Sequence, residues 1–211
     1  QVTGTAQFAL TLQTVDADID GNGAPDLLGA TLTTVALDVT DAGVSIEGVA
    51  QLTVSGELAL ATLAPADALD TRSWFALKMG NVTVAGGLDP SLDIGLSAEL
   101  TISRLDYNGA SAGTARLNWA SAFDLDEDGA FDDVLDPGAD LPTPKALPID
   151  FAAGLELRVS GTLSGTGIVG EDDDTTLLPD DPVDNAFLTV GPLQVTGTAQ
   201  FALTLQTVDA D

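Results

Sequence analysis

The stretch VSIEGVAQLTVSGELAL, residues 44–60, decides the fold class of this chain. Every second position from Val44 to Leu60 is apolar or glycine, and the positions between them are mostly polar. A β-strand directs alternate side chains to opposite faces, so this period of two predicts strand structure with one apolar face. Glycines inside the run, such as Gly48 and Gly56, indicate a bulge, a bend or a hairpin turn.

The same alternation recurs in residues 6–12, 92–102 and 151–163, and no helical period runs longer than two turns. The sequence therefore predicts an all-β fold, in the form of an elongated β-sandwich-like unit with long antiparallel strands. A β-solenoid is the alternative architecture, because long strands are also compatible with it.

Residues 1–18, QVTGTAQFALTLQTVDAD, recur without change as residues 194–211. Duplicated domains normally diverge, so this identity predicts a tandem array of 193-residue units. An engineered duplication is the alternative origin. We expect one repeat unit at 1–193 and the start of the next identical repeat at 194–211, with both copies forming the same strand.

The unit is itself predicted to be internally duplicated, with diverged β halves at about 1–79 and 80–185. Two aspartate-rich loops, DIDGNGAPD at 18–26 and DLDEDGAFD at 124–132, share the pattern D-x-D-x-[DN]-G-x-x-D and begin 106 residues apart. The strand motifs LTVSGEL at 52–58 and LRVSGTL at 157–163 have a similar offset of 105 residues. The two loops therefore occupy equivalent places in the two halves.

Each aspartate loop predicts a calcium site, because calcium takes six to eight oxygen ligands. Side chains at positions 1, 3 and 5 converge, glycine at position 6 allows the turn, position 7 offers its carbonyl oxygen, and position 9 is another acid. The predicted ligands are Asp18, Asp20, Asn22, Ala24 and Asp26 in the first loop, and Asp124, Asp126, Asp128, Ala130 and Asp132 in the second. Asp16 and Asp136, just outside the loops, are candidate additional ligands. Magnesium is disfavoured because it requires a stricter octahedron.

These loops resemble the short calcium loops of FG-GAP repeats more than EF-hands. The EF-hand glutamate at position 12 is replaced by Gly29 in the first loop and by Leu135 in the second. The resemblance covers nine residues in each loop and implies ion binding, without implying a propeller fold.

Composition excludes several classes of function. The chain has 33 acidic and 6 basic residues, and its net charge of −27 repels nucleic acid and anionic membranes and attracts cations. It contains no Cys and no His, which excludes disulfides, Cys/His zinc sites and histidine-dependent catalysis. We expect no enzymatic activity and no direct membrane insertion. A further acidic stretch, residues 170–184, is interpreted as a solvated loop, with a weaker ion site as the alternative.

Taken together, the tandem units, the alternating strands, the calcium-type loops, the acidity and the absence of cysteine resemble the extender repeats of giant bacterial surface proteins of the RTX-adhesin and biofilm type. The resemblance implies secretion, calcium-dependent folding outside the cell and a location at the bacterial cell surface, with neighbouring identical repeats as partners. The function is then that of a rod-like spacer in cell adhesion. The alternatives are a calcium-dependent carbohydrate or cell-surface binding module, and a halophile protein whose acids only maintain hydration.

Overall fold

The computed structural model describes residues 1–46, 50–88, 97–166, 186–190, 193–196 and 198–208. Within these ranges the regular structure is β-strand, apart from one short 3₁₀ helix, Pro137–Asp140. The strands are β1 (Val2–Ala17), β2 (Leu27–Ile46), β3 (Ala50–Ala64), β4 (Trp74–Leu88), β5 (Ser97–Ala110), β6 (Leu155–Thr166), β7 (Ala186–Val190), β8 (Leu193–Thr196) and β9 (Thr198–Gln206). The prediction of an all-β fold with long antiparallel strands is confirmed.

Seven strands form one open antiparallel sheet in the order β1-β2-β3-β4-β5-β6-β9, while β7 and β8 pair as a separate hairpin. Each strand from β1 to β6 pairs with the next one along the chain, which makes the sheet an up-and-down meander. This order differs from the alternative β-solenoid, in which strands of successive coils stack in parallel.

The run that predicts the fold class, residues 44–60, is divided between two strands. β2 ends at Ile46, β3 begins at Ala50, and these two residues are cross-strand partners. The run therefore forms the facing ends of a hairpin. Strand β4 passes through residues 79 and 80, the expected boundary between the halves, and the sheet is continuous there. The internal duplication stays a prediction.

One face of the sheet packs against a non-strand segment, residues 111–154, and the hydrophobic core lies between the two. Trp119 and Phe123 of the segment are fully buried, and their ring centroids are 6.0 Å apart. The remaining core residues are Ala17, Leu27, Ala30, Leu32, Ala59, Ala61, Leu63, Trp74, Ala76, Leu117, Ala122, Leu135, Leu147, Ile149 and Phe151.

A buried hydrogen-bond network ties this segment to β5. The indole N–H of Trp119 donates to Oδ1 of Asn108 at 3.0 Å, and both residues are fully buried. The side-chain amide of Asn108 donates in turn to the carbonyl oxygens of Leu117 and Ala152, at 3.0 and 3.2 Å. Because buried polar groups are costly unless they are paired, this network fixes the position of the segment over the sheet.

The opposite face of the sheet is apolar and, at both edges of the described sheet, open to solvent. Cross-strand pairing aligns its side chains in two rows that cross all seven strands. The first row is Phe8, Leu37, Leu58, Met79, Leu105, Val159 and Leu203, and the second is Leu10, Val35, Leu60, Leu77, Tyr107, Leu157 and Leu205. Phe8 is 72% exposed and Leu10 is 59% exposed. The alternation in residues 6–12 thus places the apolar side chains of β1 on the face away from the core.

Each of the six basic residues pairs with an acid. Arg104 and Arg158 both bind the fully buried carboxylate of Asp106, and the N–O distance to Arg158 is 2.6 Å. The other pairs are Arg72–Asp70, Lys78–Asp150, Arg116–Glu156, and Lys145 with Asp38 and Glu57. Every base in the sequence therefore has an acidic neighbour that partly offsets its charge.

Candidate metal centre

The first aspartate loop connects β1 to β2 and is organised around the carboxylate of Asp18, which is only 4% exposed. This carboxylate accepts hydrogen bonds from the backbone N–H groups of Asp20, Gly21 and Gly23, at 3.2, 2.7 and 2.7 Å. Gly21 and Gly23 have φ angles of 79° and 81°, in the left-handed region that favours glycine. The backbone therefore wraps around a single buried carboxylate.

The second loop, within the segment that covers the sheet, repeats this arrangement around Asp124. Its carboxylate accepts the N–H groups of Asp128 and Gly129, each at 3.0 Å. The N–H of Ala130, at position 7, donates to the side chain of Asp128, at position 5, at 2.8 Å. In the first loop the N–H of Ala24 donates to the side chain of Asn22 at the same distance, 2.8 Å. The two loops thus share the hydrogen bonds that positions 5, 6 and 7 donate to the side chains at positions 3, 1 and 5, whereas positions 3 and 4 donate to the first aspartate in the first loop alone.

Three carboxylates gather in each loop. Their ligand atoms lie within 4.8 Å of one another, an arrangement that can hold a metal ion. The two groups are Asp18, Asp20 and Asp26 in the first loop and Asp124, Asp126 and Asp128 in the second. All six belong to the ligands predicted from the sequence. Carboxylate oxygens are ligands that hard cations prefer.

The pKa values of two of these acids shift in opposite directions. Burial alone would raise the pKa of Asp18, but hydrogen bonds from the backbone N–H groups of residues 20–23 outweigh it, and the pKa is lowered. The N–H of Asp128 lowers the pKa of Asp126, but desolvation and the nearby carboxylates of Asp128, Asp133 and Asp124 outweigh that bond, and the pKa is raised. Crowded negative charge in the second loop therefore opposes ionisation of Asp126.

The two loops start side by side. Ala17 and Phe123, the residues just before them, form an antiparallel bridge, and the N–H of Asp18 donates to the carbonyl oxygen of Ala122 at 3.0 Å. A cleft between β1 and the second loop is lined by Asp16, Asp124 and Phe131, among others. Loops that are 106 residues apart in the sequence thus form one acidic region at one end of the sheet.

The loops differ in the aspartate that closes them. Asp26 accepts hydrogen bonds from the backbone N–H groups of Ile19 and Asp20, the second and third residues of its loop, at 3.1 and 3.3 Å. In the second loop Asp133 makes the equivalent bonds, at 2.5 and 3.0 Å, whereas the predicted ligand Asp132 beside it is exposed. The second loop is therefore one residue longer. The adjacent pair of aspartates was the only signal of this difference in the sequence.

We expect Asp133→Ala to weaken metal binding at the second loop by about tenfold or more, because its carboxylate fixes the loop backbone. Asp132→Ala removes the same charge one residue away and should change the affinity less than about threefold. Calorimetric titration with calcium of both variants makes the comparison. Equal losses, or a larger loss for Asp132→Ala, would contradict the assignment of Asp133.

The fourth position of the two loops differs in backbone strain. Glu127 has a φ angle of 60°, where the first loop has Gly21 at 79°. The left-handed conformation costs a residue with a side chain about 1–2 kcal/mol. Glycine avoids this cost, but it loses more conformational freedom on folding, and that loss offsets part of the gain. Glu127→Gly should therefore be more stable than Glu127→Ala by about 1 kcal/mol, measured by urea unfolding. Both variants lose the same charge, so equal stabilities would show that no strain exists at this position.

The two candidate ligands outside the loops are engaged elsewhere. Asp16 accepts the N–H of Gly29 at 2.7 Å, and Asp136 accepts the N–H of Leu147 at 2.8 Å. Neither belongs to the two groups of converging carboxylates. The acidic stretch 170–184 lies outside the described residues.

Asn22 and the two alanines take part in the loop hydrogen bonds. The side-chain oxygen of Asn22 accepts the N–H of Ala24, as Asp128 accepts that of Ala130. The side chains at position 5 therefore hold the turn in both loops, and position 7 lies directly beside them. Their roles as metal ligands stay predictions.

Comparisons of the chain with protein-family models, with curated proteins and with solved structures found no match. Among the described residues, no helix is long and apolar enough to cross a membrane.

Proposed function

We propose that this chain is a calcium-stabilised extender repeat of a giant secreted or cell-surface adhesin, acting as a rod-like spacer among identical neighbouring repeats. The observation that carries the proposal is the unchanged recurrence of residues 1–18 at 194–211, because a spacer works through repetition of one structural unit. The resemblance to RTX-type and biofilm surface proteins gives this spacer its setting at the bacterial surface.

Calcium is the ion proposed for both loops. Each loop combines three converging carboxylates with a left-handed turn at position 6, and the sequence pattern predicts a further carbonyl oxygen ligand at position 7. Calcium tolerates this irregular set of six to eight oxygens, while magnesium favours a strict octahedron and retains its waters. The ion would offset the mutual repulsion of the loop carboxylates and so hold β1, β2 and the covering segment together.

The spacer role leaves no need for a pocket or a catalytic group. Every base is already paired with an acid, and the chain has no histidine or cysteine. The proposal therefore assigns no enzymatic activity. Its partners are the neighbouring repeats, and its location is extracellular.

Small-angle scattering on chains of two and four repeats tests the spacer role. In millimolar calcium the maximum dimension should grow nearly linearly with the number of repeats, whereas excess chelator should give shorter or more variable particles. Particles whose size barely rises from two to four repeats in calcium would overturn the proposal.

Calcium-dependent binding of carbohydrate is a second candidate function, favoured by the cleft beside the second loop. Phe131 lines that cleft together with Asp16 and Asp124, so an aromatic ring lies near a proposed calcium ligand. Sugars are commonly held by such a pairing of a polar site with an aromatic face. A glycan array probed with and without calcium tests it: signals that require calcium and disappear in Phe131→Ala would support it, and a blank array would exclude it.

A further inference from the structure

We propose that neighbouring repeats share one strand, so that an array of repeats forms a single continuous antiparallel sheet. This inference rests on the extender function proposed above and specifies how one repeat joins the next. Residues 5–13, which recur as 198–206, form the shared strand, pairing with β6 of the preceding repeat on one side and with β2 of their own repeat on the other.

The first support is the place of the two copies in the sheet. Residues 5–13 of β1 and residues 198–206 of β9 have identical sequences. β1 lies at one edge and pairs with β2, while β9 lies at the opposite edge and pairs with β6. The same sequence therefore makes both of the pairings that a shared strand needs, one in each copy.

The second support is that β1 and β9 run in the same direction and turn equivalent side chains to the same face of the sheet. Antiparallel pairing across seven strands gives β1 and β9 the same direction. The apolar row that starts at Phe8 ends at Leu203, which is the equivalent of Leu10, so the register advances by two residues per repeat. Because side chains alternate, an even shift keeps each side chain on its own face. The next repeat would thus continue both the core face and the apolar face.

The third support is a site on β6 that fits the phenylalanine of the segment. Gly161 of β6 pairs with Phe201, and a Cβ atom built on Gly161 would lie 2.8 Å from the Phe201 ring and 2.2 Å from the carbonyl oxygen of Thr101. Phe201 is 40% exposed, whereas the equivalent Phe8 is 72% exposed. The glycine makes room for the ring, as occurs where an aromatic side chain covers a strand glycine.

Contacts beyond the strand extend the junction towards the next loop. The N–H of Thr207 donates to the carbonyl oxygen of Gly154 at 2.9 Å, and the guanidinium of Arg116 donates to the Thr207 hydroxyl. Arg116 is also paired with Glu156. The covering segment of one repeat therefore holds the chain two residues before Asp209, the equivalent of Asp16.

Strand sharing fixes the length that each repeat adds to the array. Strands in a sheet lie about 4.8 Å apart, and six strands per repeat therefore add about 29 Å to the array, measured across the strands. Repeats joined end to end along the strand direction would instead add about 65 Å, the length of a 20-residue strand such as β2.

The increment per repeat is measured by scattering from chains of two, four and six repeats in calcium, extrapolated to zero concentration. An increment of about 29 Å is the expected result. Linear growth near 65 Å per repeat would overturn strand sharing and leave the extender function intact. Size that does not grow with repeat number would overturn the extender function itself.

Hydrogen exchange tests the shared strand directly in a two-repeat chain. In the 211-residue chain, every second amide of residues 198–206 faces a free edge and should exchange rapidly. In the two-repeat chain those same amides should slow at least about 100-fold, because β2 of the second repeat now accepts their hydrogen bonds. Residues 5–13 of the first repeat have the same sequence at a free edge and serve as the internal control. Equal exchange in the two segments would overturn the proposal.

Discussion

Removing calcium should lower the melting temperature of the 211-residue chain by about 10 °C or more. An ion that binds only the folded state stabilises it by about 2.7 kcal/mol at 100 times its dissociation constant, and the chain has two proposed sites. For a protein of this size, 1 kcal/mol shifts the melting temperature by about 2–4 °C. Circular dichroism melts in millimolar calcium and in excess chelator measure the difference.

Sodium chloride at matched ionic strength is the control for the calcium effect. Salt screens exposed charge of any arrangement, so a halophile protein would respond to sodium as strongly as to calcium. The double variant Asp20→Ala/Asp126→Ala should lose most of the calcium response and keep the sodium response. A wild-type midpoint that is unchanged by chelator would show that the loops are not structural ion sites.

Trp119→Ala should destabilise the protein by about 3–5 kcal/mol in urea unfolding. The substitution empties the centre of the core and leaves Oδ1 of the buried Asn108 without its donor, at 3.0 Å in the native protein. Since residues 111–154 carry the second aspartate loop, calcium affinity at that loop should fall as well.

Phe8→Ala is the matched control for the core substitution. It removes a large aromatic side chain from the open face, where Phe8 is 72% exposed, and should cost less than about 1 kcal/mol. Trp119→Phe keeps most of the packing and should fall between the two variants. Equal costs for Trp119→Ala and Phe8→Ala would mean that the core does not lie where the structure places it.

The strand pattern was readable from the sequence because alternation is a local property. Phe8, Leu10 and Leu12 do share one face, as their spacing predicts. Which face of the sheet is covered depends on residues 111–154, far away in the chain, and alternation contains no information about that. The more apolar face is the open one, and the covered face holds the ion pairs of Asp106.

The two aspartate loops show the same difference: the sequence pattern predicts the grouping of nearby residues, but not the contacts between distant segments. Their spacing predicted six carboxylates that the structure gathers in two groups. The bridge between Ala17 and Phe123, which brings the loops together, depends on how the covering segment folds back on β1. The role of Asp133 in place of Asp132 depends on one extra residue in the second loop, and the two adjacent aspartates were its only signal in the sequence.

Calorimetric titration of the metal-free chain with calcium tests the central claim most directly. We expect two calcium ions per chain, with Asp20→Ala abolishing or strongly weakening the first site and Asp126→Ala the second, each leaving the other within about threefold of its affinity. Binding of no calcium, or stoichiometry that neither variant changes, would contradict the assignment of the two aspartate loops as the calcium sites of the repeat.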